Sequence, residues 1–172
     1  MSEFEQVKLE EITQYKDPFS LFSEWAAATA TGKEKTNSLL IGWGGLGILW
    51  SRPCCTVYIH ETRYSRKVFD EADSFSVCFF SKEKYLKPLE YLGQASGYQE
   101  DKIAGAGLNL LKEDGIPYFE EAELIILCKK MGQSKFDLDK IDHPQRIIDW
   151  YSRDGVHTLY YGEIVKVLRK KA

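Results

Sequence analysis

Residues 37–65 read NSLLIGWGGLGILWSRPCCTVYIHETRYS, and the reading of this stretch decides the fold. Its first half is apolar and broken by glycines. Its second half, CCTVYIH, is rich in β-branched and aromatic residues, the composition of a strand. Gly42, Gly44 and Gly47 also spell G-x-G-x-x-G. In a dinucleotide-binding fold that motif follows a strand and opens a helix, because the helix N-terminus receives the pyrophosphate. Here Pro53 follows shortly after and strand-forming residues come next, so no helix opens. Glu61, near the spacing of a ribose-binding acid, then carries little weight. The better reading is two strands over residues 38–60, joined by a glycine-containing turn. The glycines let the backbone bend or lie close to a flat ligand.

Working outward, Asp17-Pro18 has the form of an N-cap followed by proline at the first helical position. The stretch FSLFSEWAAATATG predicts a helix from there to about Gly32. YSRKVFDEAD (64–73) predicts a helix and FSVCFF (75–80) a buried strand. KYLKPLEYLGQAS (84–96) predicts a helix interrupted or begun at Pro88, and DKIAGAGL (101–108) a further helical turn. LNLLKEDGIPYF (108–119) reads as loop and turn, punctuated by Asp114-Gly115 and Pro117. EAELIILCKKM (121–131) and HTLYYGEIVKVLRK (157–170) are strands. The polar, mixed segment 134–155 between them belongs on the surface. With no repeat, low-complexity segment or linker, residues 1–172 are expected to form a single domain. Strands dominate and helices interrupt them irregularly, so the expected fold class is mainly β: a closed antiparallel sheet with flanking helices.

Composition narrows the function. At 172 residues the chain is long enough for one core. A net charge of −3 argues against a general nucleic-acid binder, which needs a basic face for phosphates. It leaves room for a local basic pocket. MSEFEQVKLEEITQY has neither the basic nor the apolar region of a signal peptide, and no apolar run approaches a membrane span. Cys54, Cys55, Cys78 and Cys128 form no C-x-x-C pair. Adjacent Cys54 and Cys55 point to opposite faces of a strand, so they chelate poorly and read as small buried hydrophobes. A reducing, cytoplasmic setting is the expectation.

The aromatics make up 13% of the chain. They serve a β-rich core or the flat walls of a ligand site. Trp43 and Trp50 flank the glycine section and suit a core or an interface. Trp43 also suits contact with a planar cofactor, because Gly42 and Gly44 clear space on either side. Arg63, Ser65, Arg66 and Lys67 cluster where a strand ends and a helix begins. Free N–H groups, the helix dipole and a planar guanidinium favour an anion there, although a solvated basic turn has the same sequence. His60, His143 and His157 share no metal-ligand spacing, so no metal site is expected. No nucleophile elbow or other covalent constellation stands out, and no catalytic residue is assigned.

These blocks carry a family resemblance. Asn37–Pro53 resembles the opening motif of flavoredoxin-like members of the flavin reductase family. Thr56–Ser65 resembles their next block, which ends in Arg-Tyr-Thr or Arg-Tyr-Ser. FSVCFF, GQASGYQEDK (93–102), EEAELIILCKK and YYGEIV follow in the family's order, so the similarity runs from about residue 18 to the end. The resemblance implies a Greek-key type, FMN-binding split β-barrel, usually a homodimer with the flavin near the subunit interface. Carried over, Asn37, Trp43 and Gly44 would lie near the flavin. Arg63 and Ser65 match the block at the phosphate end, and Ser96, Gly97 and Lys102 match a third cofactor-contacting block. Lys102 would sit either by the ring or by the phosphate. The expected activity is electron transfer through FMN. One form is an NAD(P)H-dependent flavin or ferric reductase, with NADH or NADPH as donor and a small-molecule acceptor. The alternative is a flavoredoxin-type carrier reduced by a protein partner, and a non-catalytic module that kept the fold is a third reading. No nucleic-acid or membrane partner is expected.

Overall fold

A computed structural model describes residues 3–142, 145–151 and 155–171. The strands are β1 (Phe4–Val7), β2 (Ala26–Thr31), β3 (Thr36–Ile41), β4 (Gly44–Leu49), β5 (Arg52–His60), β6 (Ser74–Phe79), β7 (Leu110–Glu113), β8 (Ile116–Phe119), β9 (Leu124–Lys135) and β10 (His157–Lys170). The helices are α1 (Glu11–Tyr15), α2 (Pro18–Ser23), α3 (Tyr64–Glu71), α4 (Lys82–Gln94), α5 (Lys102–Ala106) and α6 (Gln145–Tyr151). The main sheet runs in the order β3-β2-β6-β9-β10-β5-β4, with β1 added to β10 and β7–β8 as a separate hairpin.

Connectivity forces this sheet to curl. β3 and β4 are the two ends of the path, yet only Gly42 and Trp43 separate them in the chain. Two residues cannot bridge a flat seven-strand sheet whose strands lie about 4.8 Å apart. The ends therefore meet, and the sheet becomes a barrel with a seam between β3 and β4. All pairings along the path are antiparallel.

Several strands are buried on both faces, and that explains their lack of alternation. In β2, Ala26, Ala28 and Ala30 face the barrel interior with Val57, Ile59, Phe75 and Tyr160. Ala27 faces an outer core with Leu89, Leu92, Ile103 and Phe119. In β9, Leu124, Ile126 and Cys128 point inward, while Ile125 and Leu127 point outward. All four cysteines are buried free thiols.

Three expectations are corrected. The helix expected from residue 19 to Gly32 stops at Ser23, and residues 26–31 are strand β2. Alanine favours helix intrinsically, but its small side chain also suits a strand covered on both faces, and burial decides. Trp25, with φ at +75°, makes the break. The two strands expected over 38–60 are three, since the glycine-rich stretch is itself strand β4, paired with β5 from Gly44↔Val57 to Leu49↔Arg52. The turn between them is Trp50-Ser51, both at positive φ, a conformation that commonly selects Asn-Gly. Residues 108–119 hold the β7–β8 hairpin, turned at Asp114-Gly115 with φ of 52° and 81°. The glycine section opens no helix, as the strand reading required. His143 and parts of the 134–155 segment lie outside the described residues.

Candidate functional site

The seam holds a cleft of about 470 Å³, a volume typical of small-molecule sites. Leu39, Leu40 and Ile41 of β3 form one wall, continued by Gly42 and Trp43. β3 has a sheet partner on one side only, so its outer edge offers backbone N–H and C=O groups to the cleft. Tyr58 and His60 of β5 and His157 of β10 form the opposite side. Thr62 and Arg63, from the turn between β5 and α3, close one end with Gln94, the last residue of α4, and with Ala95 and Ser96 after it. Trp150 of α6 comes over the top, stacked on Trp43 with ring centroids 4.9 Å apart.

The two histidines are brought together by strand register. His60 pairs directly with His157, and the rings lie 4.9 Å apart. His157 also packs 4.7 Å from the Trp43 ring, and its Nδ1 is 3.0 Å from the Tyr151 hydroxyl. Burial, then the neighbouring His60 and Arg63, push its pKa down from 6.5 to about 4. At neutral pH it is an uncharged imidazole beside a cation.

Arg63 is exposed at the start of α3, and its Nη1 donates to the Gly93 carbonyl at 2.9 Å. Its two basic neighbours are engaged elsewhere. Arg66 Nε lies 3.0 Å from Asp70, and Lys67 Nζ lies 2.8 Å from Glu34. The basic cluster of the sequence therefore contributes one guanidinium to the cleft. Behind it, Asn37 Nδ2 donates to Ser65 Oγ at 2.7 Å, both residues buried. Ser65 Oγ accepts that bond, which leaves its own O–H free to donate.

Lys102 does not line the cleft but lies in the layer behind its cationic end. It is 3% exposed, and its Nζ donates to the carbonyls of Leu92 at 2.7 Å and Ala95 at 3.4 Å. It thus caps the C-terminal end of α4 from α5. Burial above all, then repulsion from Arg63 and Lys35, lowers its pKa from 10.5 to about 8. Lys35 Nζ donates to the Gly97 carbonyl at 2.7 Å. Three cations thus gather at this end of the cleft, and an anion there would relieve their mutual repulsion.

The glycines differ in what they permit. A Cβ on Gly97 would lie 2.7 Å from Tyr64 Cδ1 and 3.0 Å from Asn37 Oδ1, so only glycine lets the 93–97 loop close on the Asn37–Ser65 pair. Gly44 is not among the cleft's lining residues. A Cβ there would meet the Phe22 ring at 2.2 Å, so its missing side chain makes room for the protein's own core.

Of the residues singled out in the sequence, Trp43, Arg63 and Ser96 line the cleft, and Asn37, Ser65, Gly97 and Lys102 form the layer behind one end. Sequence reasoning missed Tyr58, His60, Trp150 and His157 as lining residues. For the histidines the signal was present: each stands at a strand end, where pairing can join them across any sequence distance.

Solved structures share this architecture. An FMN-binding domain of a flavin reductase-like enzyme from Shewanella baltica superposes with a TM-score of 0.70 at 14% identity, over 97% of this chain and 77% of that one. The fold is that of the split-barrel FMN-binding domains. Flavoredoxin from Methanosarcina acetivorans matches 83% of this chain and 66% of its own, with a TM-score of 0.63 and 21% identity. Flavoredoxin from Desulfovibrio vulgaris matches 83% and 67%, with a TM-score of 0.63 and 23% identity. No protein-family model and no curated protein sequence matches the chain. Among the described residues, no helix is long and apolar enough to cross a membrane.

Proposed function

We propose that the seam cleft binds FMN and that the protein passes electrons through it. One observation carries this reading: a single cleft joins an unpaired strand edge, aromatic walls and a cationic end. The residues suit the parts of the group. The outer edge of β3 can satisfy the polar rim of a flat ring. Trp43, Tyr58 and His157 can cover its faces. Arg63, the Ser65 hydroxyl and the first N–H groups of α3 can take its phosphate. Lys102 keeps the end of α4 in place, so that Ser96 and Gly97 present backbone to the same region.

Bound flavin would supply both hydride and single-electron chemistry. The protein's part is to hold the ring, exclude water from one face and set the local charge. His157, neutral at pH 7 and joined to Tyr151, can donate one hydrogen bond and accept another at its ring nitrogens without adding a charge beside Arg63.

The preferred activity is an NAD(P)H-dependent flavin or ferric reductase. The alternative, a carrier reduced by a protein partner, is favoured by one observation. Trp43 is 39% exposed and Trp150 64% exposed, so the cleft opens directly to the surface. Anaerobic addition of NADH or NADPH to the FMN-loaded protein separates the two. Bleaching of the flavin band supports the enzyme. Bleaching by dithionite alone supports the carrier. A protein that takes up no FMN overturns both.

A homodimer also belongs to this reading. β4 is the other unpaired end of the sheet, and it carries Ile48, 73% exposed, next to Trp50 at 67%. An exposed apolar strand edge invites a partner, and a second copy is the simplest one.

A further inference from the structure

A second recess adjoins the cleft. It measures about 750 Å³ and is lined by Phe136, Ile141, Ile147 and Tyr151, with Trp43 and Trp150 as walls common to both spaces. The cleft and the recess share no other lining residue.

The chemistry of this recess differs from that of the cleft. Its walls are ring and aliphatic surface. Lys135, Asp137 and Lys140 also line it, and among the described residues these charges are paired, Lys135 with Glu61 and Lys140 with Asp137 at 3.0 Å. A charged ligand gains little there, because each lysine, at an exposed position, already has its charge offset by a carboxylate. The Tyr151 hydroxyl is engaged by His157. What remains unmet is apolar area, much of it on the two exposed indoles, in a concave site of a size that takes small molecules.

We propose that this recess binds an uncharged, flat aromatic molecule of one or two fused rings, at a site of its own beside the cleft. Aromatic rings favour such a wall because offset or edge contacts with Trp and Tyr add to the area buried. The shared Trp43–Trp150 stack makes the two sites neighbours, so a ligand that moves either indole is felt at both, reciprocally. A second copy of the chain is the competing occupant, but the exposed edge of β4, with Ile48 and Trp50, suits that role better.

The test needs no flavin, which keeps it separate from the FMN reading. The full chain is titrated with 2-naphthol by calorimetry, alongside the charged analogue 2-naphthoate. Ile141→Lys and Ile147→Lys place a charge in the recess without touching the cleft, and thermal melts confirm that each folds. The expected result is naphthol binding below about 1 mM, weakened about tenfold or more by either variant. Naphthoate should bind more weakly, and FMN affinity should be unchanged in both variants. Four results would overturn the proposal: no naphthol binding; binding that both folded variants retain; naphthoate binding as well as naphthol; or naphthol binding that disappears as rising protein concentration drives dimer formation.

Discussion

Arg63→Ala separates a phosphate site from a solvated turn. In the structure the guanidinium gives one bond to the Gly93 carbonyl. A guanidinium has five donors, and among the described residues the remaining ones are free for a ligand. A hydrogen bond to a charged group contributes roughly 1.5–3 kcal/mol, so FMN should bind about ten- to a hundredfold more weakly in the variant. Riboflavin lacks the phosphate, and its affinity should change far less. The lost Gly93 bond costs the apo-protein about 0.5–1.5 kcal/mol at most, because the side chain is exposed. Both constants can be read from quenching of flavin fluorescence under one set of conditions. A second readout is internal. Arg63 helps to hold the His157 pKa down, so NMR should show His157 titrating higher once the positive charge is removed. Equal losses for FMN and riboflavin, or no loss for either, would refute the phosphate assignment.

His157 takes a proton at about 4 in the folded chain against 6.5 ordinarily. The unfolded chain therefore binds more protons between these values, and stability is lost as pH falls from 6.5 towards 4. The loss is about 2 kcal/mol after allowing for partial exposure; urea titrations across this range should show the slope, and His157→Phe should remove it. Lys102 works at the other end of the scale. Its folded pKa near 8 lies below 10.5, so the folded chain sheds its proton first and stability rises with pH between the two, by up to about 3 kcal/mol. Lys102→Met should flatten that rise relative to the parent chain; an unchanged profile would remove the buried-cap account. Gly97→Ala forces a Cβ against Tyr64 and Asn37, which should cost about 1–3 kcal/mol in thermal or chemical melts and weaken FMN as well. Ile48→Lys on the exposed edge of β4 should shift the proposed homodimer to monomer by light scattering, and an unaltered dimer mass would place the interface elsewhere.

Much of the fold was legible because local and global preferences agreed. The strand character of CCTVYIH, FSVCFF and the last fourteen-residue strand follows from β-branched and aromatic content that burial then reinforces. Residues 26–31 misled because alanine has a helical propensity that double-sided burial overrules. β4 misled because Trp50 and Ser51 adopt positive φ without the usual glycine or asparagine, so no turn signal marks the hairpin. The site was half legible for a related reason. Arg63 and Ser65 announce themselves by chemistry at a helix start. His60 and His157 meet only through β5–β10 register, and Trp150 reaches Trp43 only through tertiary packing. For Lys102 the charge is visible in sequence, but its two carbonyl partners at the end of α4 are not.

The most direct measurement of the central claim is a crystal structure of the protein soaked or grown with FMN. The account predicts one flavin per chain in the seam cleft, its ring along the edge of β3 beside Trp43 and His157 and its phosphate within hydrogen-bond reach of Arg63 and the start of α3. Flavin found elsewhere on the chain, or an empty cleft in crystals grown with excess FMN, would contradict it.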